Sequence, residues 1–87
     1  MRVFLQQIPV GSEPPKYIQL SLQPDLFGNW ELLRQTGTVG GRSQLRRERF
    51  ASADEATAAF EKARDSQLQR GYQVTFVSGS APLTPAP

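Results

Sequence analysis

A strict alternation of apolar and polar side chains marks residues 16–23 of the chain. Every second residue in this stretch is a large aliphatic one, namely Ile18, Leu20 and Leu22. A period of two is typical of a strand with one buried face. The turn-forming residues between Pro24 and Asn29 then predict an antiparallel return along residues 30–35.

Three further segments have the composition of strands. Residues 2–8 contain several apolar side chains and end before Pro9, which cannot donate to a strand ladder. Residues 44–50 follow a glycine-rich segment, 37–43, whose glycines predict a tight hairpin loop. Residues 72–77 are rich in aromatic and β-branched side chains, which favour a final strand.

One helix is predicted to begin near Ser52. Ser52 and Glu55 have the spacing of a capping box, in which the serine hydroxyl accepts a hydrogen bond from the amide three residues later. Apolar residues then recur at intervals of three and four and form a narrow stripe that would face the sheet: Ala56, Ala59, Phe60 and Ala63, with Leu68 further along the helix. Gly71 suits the left-handed conformation that ends many helices.

Composition restricts the classes of function. The chain has 87 residues, and we assign residues 1–77 to one small domain and residues 78–87 to a flexible tail. It contains neither cysteine nor histidine, so disulfides, the commonest zinc ligands and the usual general base are missing. We therefore expect a monomeric, non-enzymatic protein without cofactor or metal. No segment resembles a signal peptide or a membrane span, and we expect a cytoplasmic location.

Positive charge is concentrated in one stretch of a chain whose net charge is only +2. Residues 30–50 carry five arginines against two glutamates, a local net charge of +3, and the arginines are Arg34, Arg42, Arg46, Arg47 and Arg49. Arg47 and Arg49 would share one face of their strand, and Arg46 would take the other. Such a cluster either meets the phosphates of a nucleic acid or forms an ordinary solvated strand, and the sequence supports both equally.

The order of strand, turn, basic strand, capped helix and Gly71-Tyr72 resembles the WGR domain family over residues 17–72. The residues that match the family pattern are Arg34, Gly37, Val39, Gly40, Phe50, Ala56, Phe60, Gly71 and Tyr72. Thr36-Gly37-Thr38 stands where the family has Trp-Gly-Arg, so only the glycine of the motif is kept. The resemblance implies an α+β fold, an antiparallel β-sheet with one α-helix packed across one face.

The resemblance also implies contact with nucleic acid. In poly(ADP-ribose) polymerases, domains of this family bind DNA near a strand end, where the motif tryptophan stacks on the terminal nucleotide and the motif arginine contacts nearby groups. Thr36 offers no aromatic surface and Thr38 no charge, while Gln67 stands where many relatives have lysine. The stacking contribution, about 1–3 kcal/mol per base, is therefore missing at residue 36.

We expect weak binding of DNA or another nucleic acid through its backbone. The residues assigned to this surface are the five arginines, the hydroxyls of Thr36 and Thr38, and Trp30, which has the strand parity of Arg34 and Thr36. Trp30 would stack on a base if it were exposed, but packing over the sheet is the favoured interpretation for a large aromatic in a small domain. The alternative function is a module that docks a larger protein partner.

Overall fold

In the computed structural model of the protein, which describes residues 1–9 and 11–78, five strands form one antiparallel sheet. The strands are β1 (Arg2–Gln7), β2 (Lys16–Pro24), β3 (Trp30–Thr38), β4 (Ser43–Phe50) and β5 (Tyr72–Ser78), and one helix, α1 (Ala53–Gln69), separates β4 from β5. The strand order is β4-β3-β2-β1-β5, so the chain after α1 returns to the edge formed by β1. The expected α+β fold is confirmed.

The helix covers one face of the sheet and encloses the core there. The alternation in β2 places its aliphatic residues on this face, where they meet those of the neighbouring strands and the stripe of α1. The buried residues are Val3, Leu5, Ile18, Leu20, Leu22, Leu32, Ala56, Phe60 and Ala63. Phe60 is 0% exposed, which confirms its predicted role as the anchor of the helix. The small alanines around it allow α1 to approach the strands closely.

Both ends of α1 follow the sequence signals. The Ser52 hydroxyl accepts a hydrogen bond from the Glu55 amide at 3.2 Å, and Gly71 has a φ of +89°. Leu68, however, is 41% exposed, so its assignment to the buried stripe is wrong. Successive residues of a helix are rotated by about 100°, and the position that continues the stripe from Ala63 is Gln67 rather than Leu68.

The connection between β3 and β4 is shorter than the glycines suggested. Gly37 and Thr38 belong to β3, and only residues 39–42 connect the two strands. Gly40 supplies the positive φ of this turn, at +78°. Gly37 has a different role, because a Cβ atom on it would lie 2.5 Å from the Arg42 carbonyl oxygen. A close approach of backbones, and not a turn, requires glycine there.

Other strand ends differ from expectation by a residue or two. β1 ends at Gln7 instead of residue 8, β2 extends to Pro24, β4 begins at Ser43, and β5 extends to Ser78. The remainder of the predicted flexible tail, residues 79–87, lies outside the described residues. Across the described ranges, no helix combines the length and the apolar character that crossing a bilayer requires.

Candidate functional site

A cleft of about 380 Å³ opens at the end of the sheet where α1 terminates. Its walls come from the start of β2, the end of β3, the turn and strand that follow, and the C-terminal end of α1. We call it the basic cleft and define it by six of its polar lining residues: Lys16, Thr36, Thr38, Arg42, Gln67 and Arg70.

Strand register explains why these residues meet. Lys16 lies opposite Thr38, and Ile18 lies opposite Thr36, so the first residues of β2 adjoin the last residues of β3. Opposed residues of antiparallel strands project to the same face, and the partner of Thr36 is buried beneath the helix. Gln67 continues the stripe of α1 toward this position. The polar side chain of Gln67 thus lies at the edge of the hydrophobic core, where an open space separates the helix from the sheet.

The charges around the basic cleft are all positive. Lys16, Arg42 and Arg70 line it, and its described lining includes no carboxylate. None of the three cations forms an ion pair with another residue in the ranges 1–9 and 11–78. The end of α1 contributes roughly half a negative charge, which Arg70 at its C-cap offsets. The arrangement suits an anion, which would meet three cations and the threonine hydroxyls.

The other predicted arginines are divided between the two faces of the sheet. Arg34 and Arg46 lie opposite each other on the face that α1 occupies, whereas Arg47 and Arg49 lie on the opposite face, as their spacing predicted. Arg42 lies on the turn and lines the basic cleft. The five arginines of the sequence cluster therefore do not form one surface.

Three of these arginines already have acidic partners on adjacent segments. Arg34 is paired with Glu48 at 2.8 Å, Arg47 with Glu31 at 3.5 Å, and Arg49 with Asp25 at 3.8 Å. A phosphate group would have to compete with these carboxylates. The solvated-strand interpretation thus fits the paired arginines, whereas Arg42 and Arg46 keep their charge free of any ion pair with a described residue.

Trp30 packs against the hydrophobic core and lies opposite Phe50. It begins β3, whereas Thr38 ends the same strand. At about 3.3 Å per residue the two are roughly 26 Å apart, so Trp30 and the basic cleft occupy opposite ends of the sheet. The geometry supports the packing interpretation of Trp30 and separates it from Thr36 and Thr38.

Two cationic residues of the basic cleft were not among the binding residues predicted from the sequence. Lys16 begins β2 and Arg70 follows α1, and both lie far along the chain from the arginine-rich stretch. Their proximity to Arg42 depends on the pairing of β2 with β3 and on where the helix ends. The signal that could have found Lys16 is the predicted hairpin, because it places the first residues of β2 beside the last residues of β3.

Comparison with known proteins places the chain. The sequence profile of the WGR domain family matches residues 1–77. The chain belongs to the WGR domain family. It is also 26% identical over 72 residues to the uncharacterised protein y4dW of Sinorhizobium fredii, a match that covers 83% of this chain and 35% of that protein. The chain thus spans about a third of the length of this relative. No solved structure shows a significant match.

The basic cleft lies at the segment where the family motif is expected. Thr36-Gly37-Thr38, the segment that is expected to correspond to the Trp-Gly-Arg motif, lines the cleft together with Gln67 of α1 and Tyr72 of β5. A WGR domain is not catalytic on its own. If this correspondence holds, the motif segment faces an open, positively charged cleft with Thr36 at the tryptophan position and Thr38 at the arginine position.

Proposed function

We propose that this WGR domain is a non-enzymatic module that binds the sugar–phosphate backbone of nucleic acid at the basic cleft. The observation that carries the proposal is the meeting of Lys16, Arg42 and Arg70 beside the motif segment, with no carboxylate among the described lining residues. A concave surface with charges of one sign concentrates the opposite charge from solution.

The side chains that line the basic cleft indicate which contacts a nucleic acid would make there. The guanidinium groups of Arg42 and Arg70 and the ammonium group of Lys16 would donate charge-assisted hydrogen bonds to phosphate oxygens. The hydroxyls of Thr36 and Thr38 can donate to the same oxygens but carry no charge. Because no aromatic side chain stands at residue 36, the terminal base gains no stacking partner there. Binding would be sensitive to salt and only weakly selective for sequence or for strand ends.

An NMR titration with a short blunt DNA duplex at low salt tests the location. We expect the largest amide shifts at Thr36, Thr38, Arg42 and Arg70, since these residues surround the cleft. Shifts confined to β4 near Arg47 and Arg49 would instead show that the duplex binds at β4. The absence of any shift at low salt would refute binding of the DNA duplex to the domain.

A second candidate function is docking to a protein partner, and the turn between β2 and β3 favours it. We call residues 25–29 the hairpin tip. Leu26 is 97% exposed and Phe27 is 82% exposed, so neither side chain packs on the domain. The Asp25 carboxylate accepts hydrogen bonds from the Phe27 and Asn29 amides at 2.8 and 2.9 Å. An ordered turn thus presents two apolar side chains that an apolar pocket of a partner would bury.

The salt dependence of binding distinguishes nucleic-acid binding from docking to a protein partner. Phosphate binding weakens steeply as salt rises, whereas an apolar contact does not. If the domain docks through the hairpin tip, its complex with a purified partner persists at high salt and is lost in the Leu26→Ser, Phe27→Ser variant. The matched variant Val39→Ser, which alters the turn at the other end of β3, would leave the complex intact.

A further inference from the structure

The second face of the sheet is not covered by α1. The residues that alternate with the core positions point to this face, and the described part of the chain places no other helix over it. Its strand residues include aromatic side chains and an unusual number of amides: Phe4, Tyr17 and Phe76, with Gln6, Gln19, Gln23, Gln35 and Gln73. We call this surface the amide–aromatic face.

The aromatic part of this face spans three adjacent strands. Phe4 lies opposite Phe76 of β5 on one side, and it stacks on Tyr17 of β2 on the other. The Phe4 and Tyr17 ring centroids are 5.3 Å apart, and the ring planes differ by 11°. Phe4 and Tyr17 are partly exposed, and Phe76 is exposed. Together they leave aromatic surface open to solvent on this face of the sheet.

A depression of about 200 Å³ lies on the same face, and one of its lining residues, Gln19, is opposite Phe4 in the strand register. Gln19, Gln23 and Gln35 line it with amides, Ser21 with a hydroxyl, and Leu33 and Leu45 with apolar surface. A glutamine amide offers both a donor and an acceptor, as the edge of a nucleobase does. The depression therefore combines hydrogen-bonding groups that match base edges with apolar surface that can cover a flat ring.

Charge on this face favours a polyanion. Arg2 lines the depression, and Arg47 lies at the same level three strands away. Glu31 is the acidic strand residue of this face in the described chain, and its side chain is only 12% exposed and is paired with Arg47. A negatively charged chain could cross the face without meeting an unpaired carboxylate of the strands.

We propose that the amide–aromatic face binds the unpaired bases of a single-stranded nucleic acid. This inference goes beyond the backbone contact proposed for the basic cleft, because it rests on a different face and on groups that recognise bases. Within a duplex the base faces are stacked on one another, so exposed aromatic rings can reach successive bases only in a single strand. Stacking on the rings and hydrogen bonds to the glutamine amides would hold the bases, while Arg2 would meet the phosphates.

Two probes of equal length distinguish bases from phosphates. One is an oligothymidylate, and the other is an abasic oligomer with the same number of phosphates. Measured by fluorescence anisotropy at low salt, the oligothymidylate should bind about tenfold more tightly or better, the gain expected from stacking one or two bases. Equal affinities for the two probes would overturn the proposal.

Variants then locate the contact. Gln19→Glu puts a negative charge into the depression, and Phe76→Thr removes an exposed ring from the edge strand while keeping a residue that favours strands there. Each should reduce the preference for the oligothymidylate by about tenfold. The control Ala58→Glu makes the same charge change as Gln19→Glu on the exposed side of α1, and it should leave the preference unchanged.

NMR keeps the test independent of variant stability. Adding the oligothymidylate to the unaltered domain should shift amides of β1, β2 and β5 around Phe4, Gln19 and Phe76, and the abasic oligomer should not. If base-dependent shifts appear only around the basic cleft, the amide–aromatic face is not the site. A cleft variant, Arg42→Gln with Arg70→Gln, should weaken duplex binding but retain the preference for bases, so each proposal can fail without the other.

Discussion

At the scale of single residues, Thr36 and Thr38 stand where the resemblance to the family places the motif tryptophan and arginine. Replacing them together by Trp and Arg would restore an aromatic surface and a guanidinium beside the basic cleft. Because base stacking contributes about 1–3 kcal/mol, we expect duplex affinity to rise about tenfold or more, with a new preference for blunt ends over internal sites. If the folded double variant binds no more tightly in anisotropy titrations, the basic cleft is not the nucleic-acid site.

Phe60 anchors the only helix of the described chain to the sheet. Its side chain is completely buried, so Phe60→Ala should reduce the free energy of unfolding by about 3–5 kcal/mol in urea denaturation. Leu68→Ala serves as the control, because that side chain lies off the buried stripe and should cost less than about 1 kcal/mol. Similar losses for the two variants would contradict the assigned helix orientation.

Gly37 is required by the approach of two backbones. An added Cβ would meet the Arg42 carbonyl oxygen at 2.5 Å, whereas at Gly41 the nearest atom is the Thr38 Cβ at 3.3 Å. Gly37→Ala should therefore destabilise the domain by about 1–3 kcal/mol, and Gly41→Ala should cost clearly less. Thermal unfolding of both variants checks the order, and a reversed order would show that β4 does not approach β3 as closely as described.

At the scale of elements, the hairpin tip is held by one carboxylate whose protonation can be followed. The Phe27 amide, followed by the Asn29 amide and the Arg49 charge, lowers the pKa of Asp25 from its ordinary value of 3.8. A carboxyl with a lowered folded-state pKa stabilises the fold above its unfolded pKa, and this contribution is lost as the pH falls through the folded value.

The resulting prediction concerns acid titration of the hairpin tip. The midpoint of the pH-dependent change in the Phe27 and Asn29 amide signals should lie below pH 3.8, the ordinary pKa of the carboxyl. Asp25→Asn should remove this transition, because an amide side chain does not titrate in that range. A transition midpoint above pH 3.8 in the unaltered protein would contradict the described hydrogen bonds.

Elements were predictable from sequence to different degrees. The period of two in β2 and the capping box of α1 are local signals, so both elements were predicted to within one residue at their starts. The end of β3 was not, because Gly37 looked like a loop residue until its pairing with Tyr17 was known. The basic cleft was only partly foreseen for a related reason, since Lys16, Arg42 and Arg70 come together through tertiary structure and not through spacing along the chain.

At the scale of the whole molecule, ion pairs with carboxylates offset part of the positive charge in residues 30–50. Arg34, Arg47 and Arg49 are paired with carboxylates, while the cations of the basic cleft are not paired with any described residue. A net charge of +2 on the full chain therefore understates the positive potential of the cleft. Nucleic-acid affinity should depend on the position of a cation more than on the total charge.

The salt dependence of duplex binding tests this account most directly. Three phosphate contacts predict a slope of about −2 to −3 in a plot of log affinity against log salt, and removing two contacts should reduce the magnitude of this slope by about 1.5. We predict this decrease for Arg42→Gln with Arg70→Gln, and little change for the matched pair Arg47→Gln with Arg49→Gln. A slope that is unchanged in the first variant and reduced in the second would contradict the assignment of phosphate binding to the basic cleft.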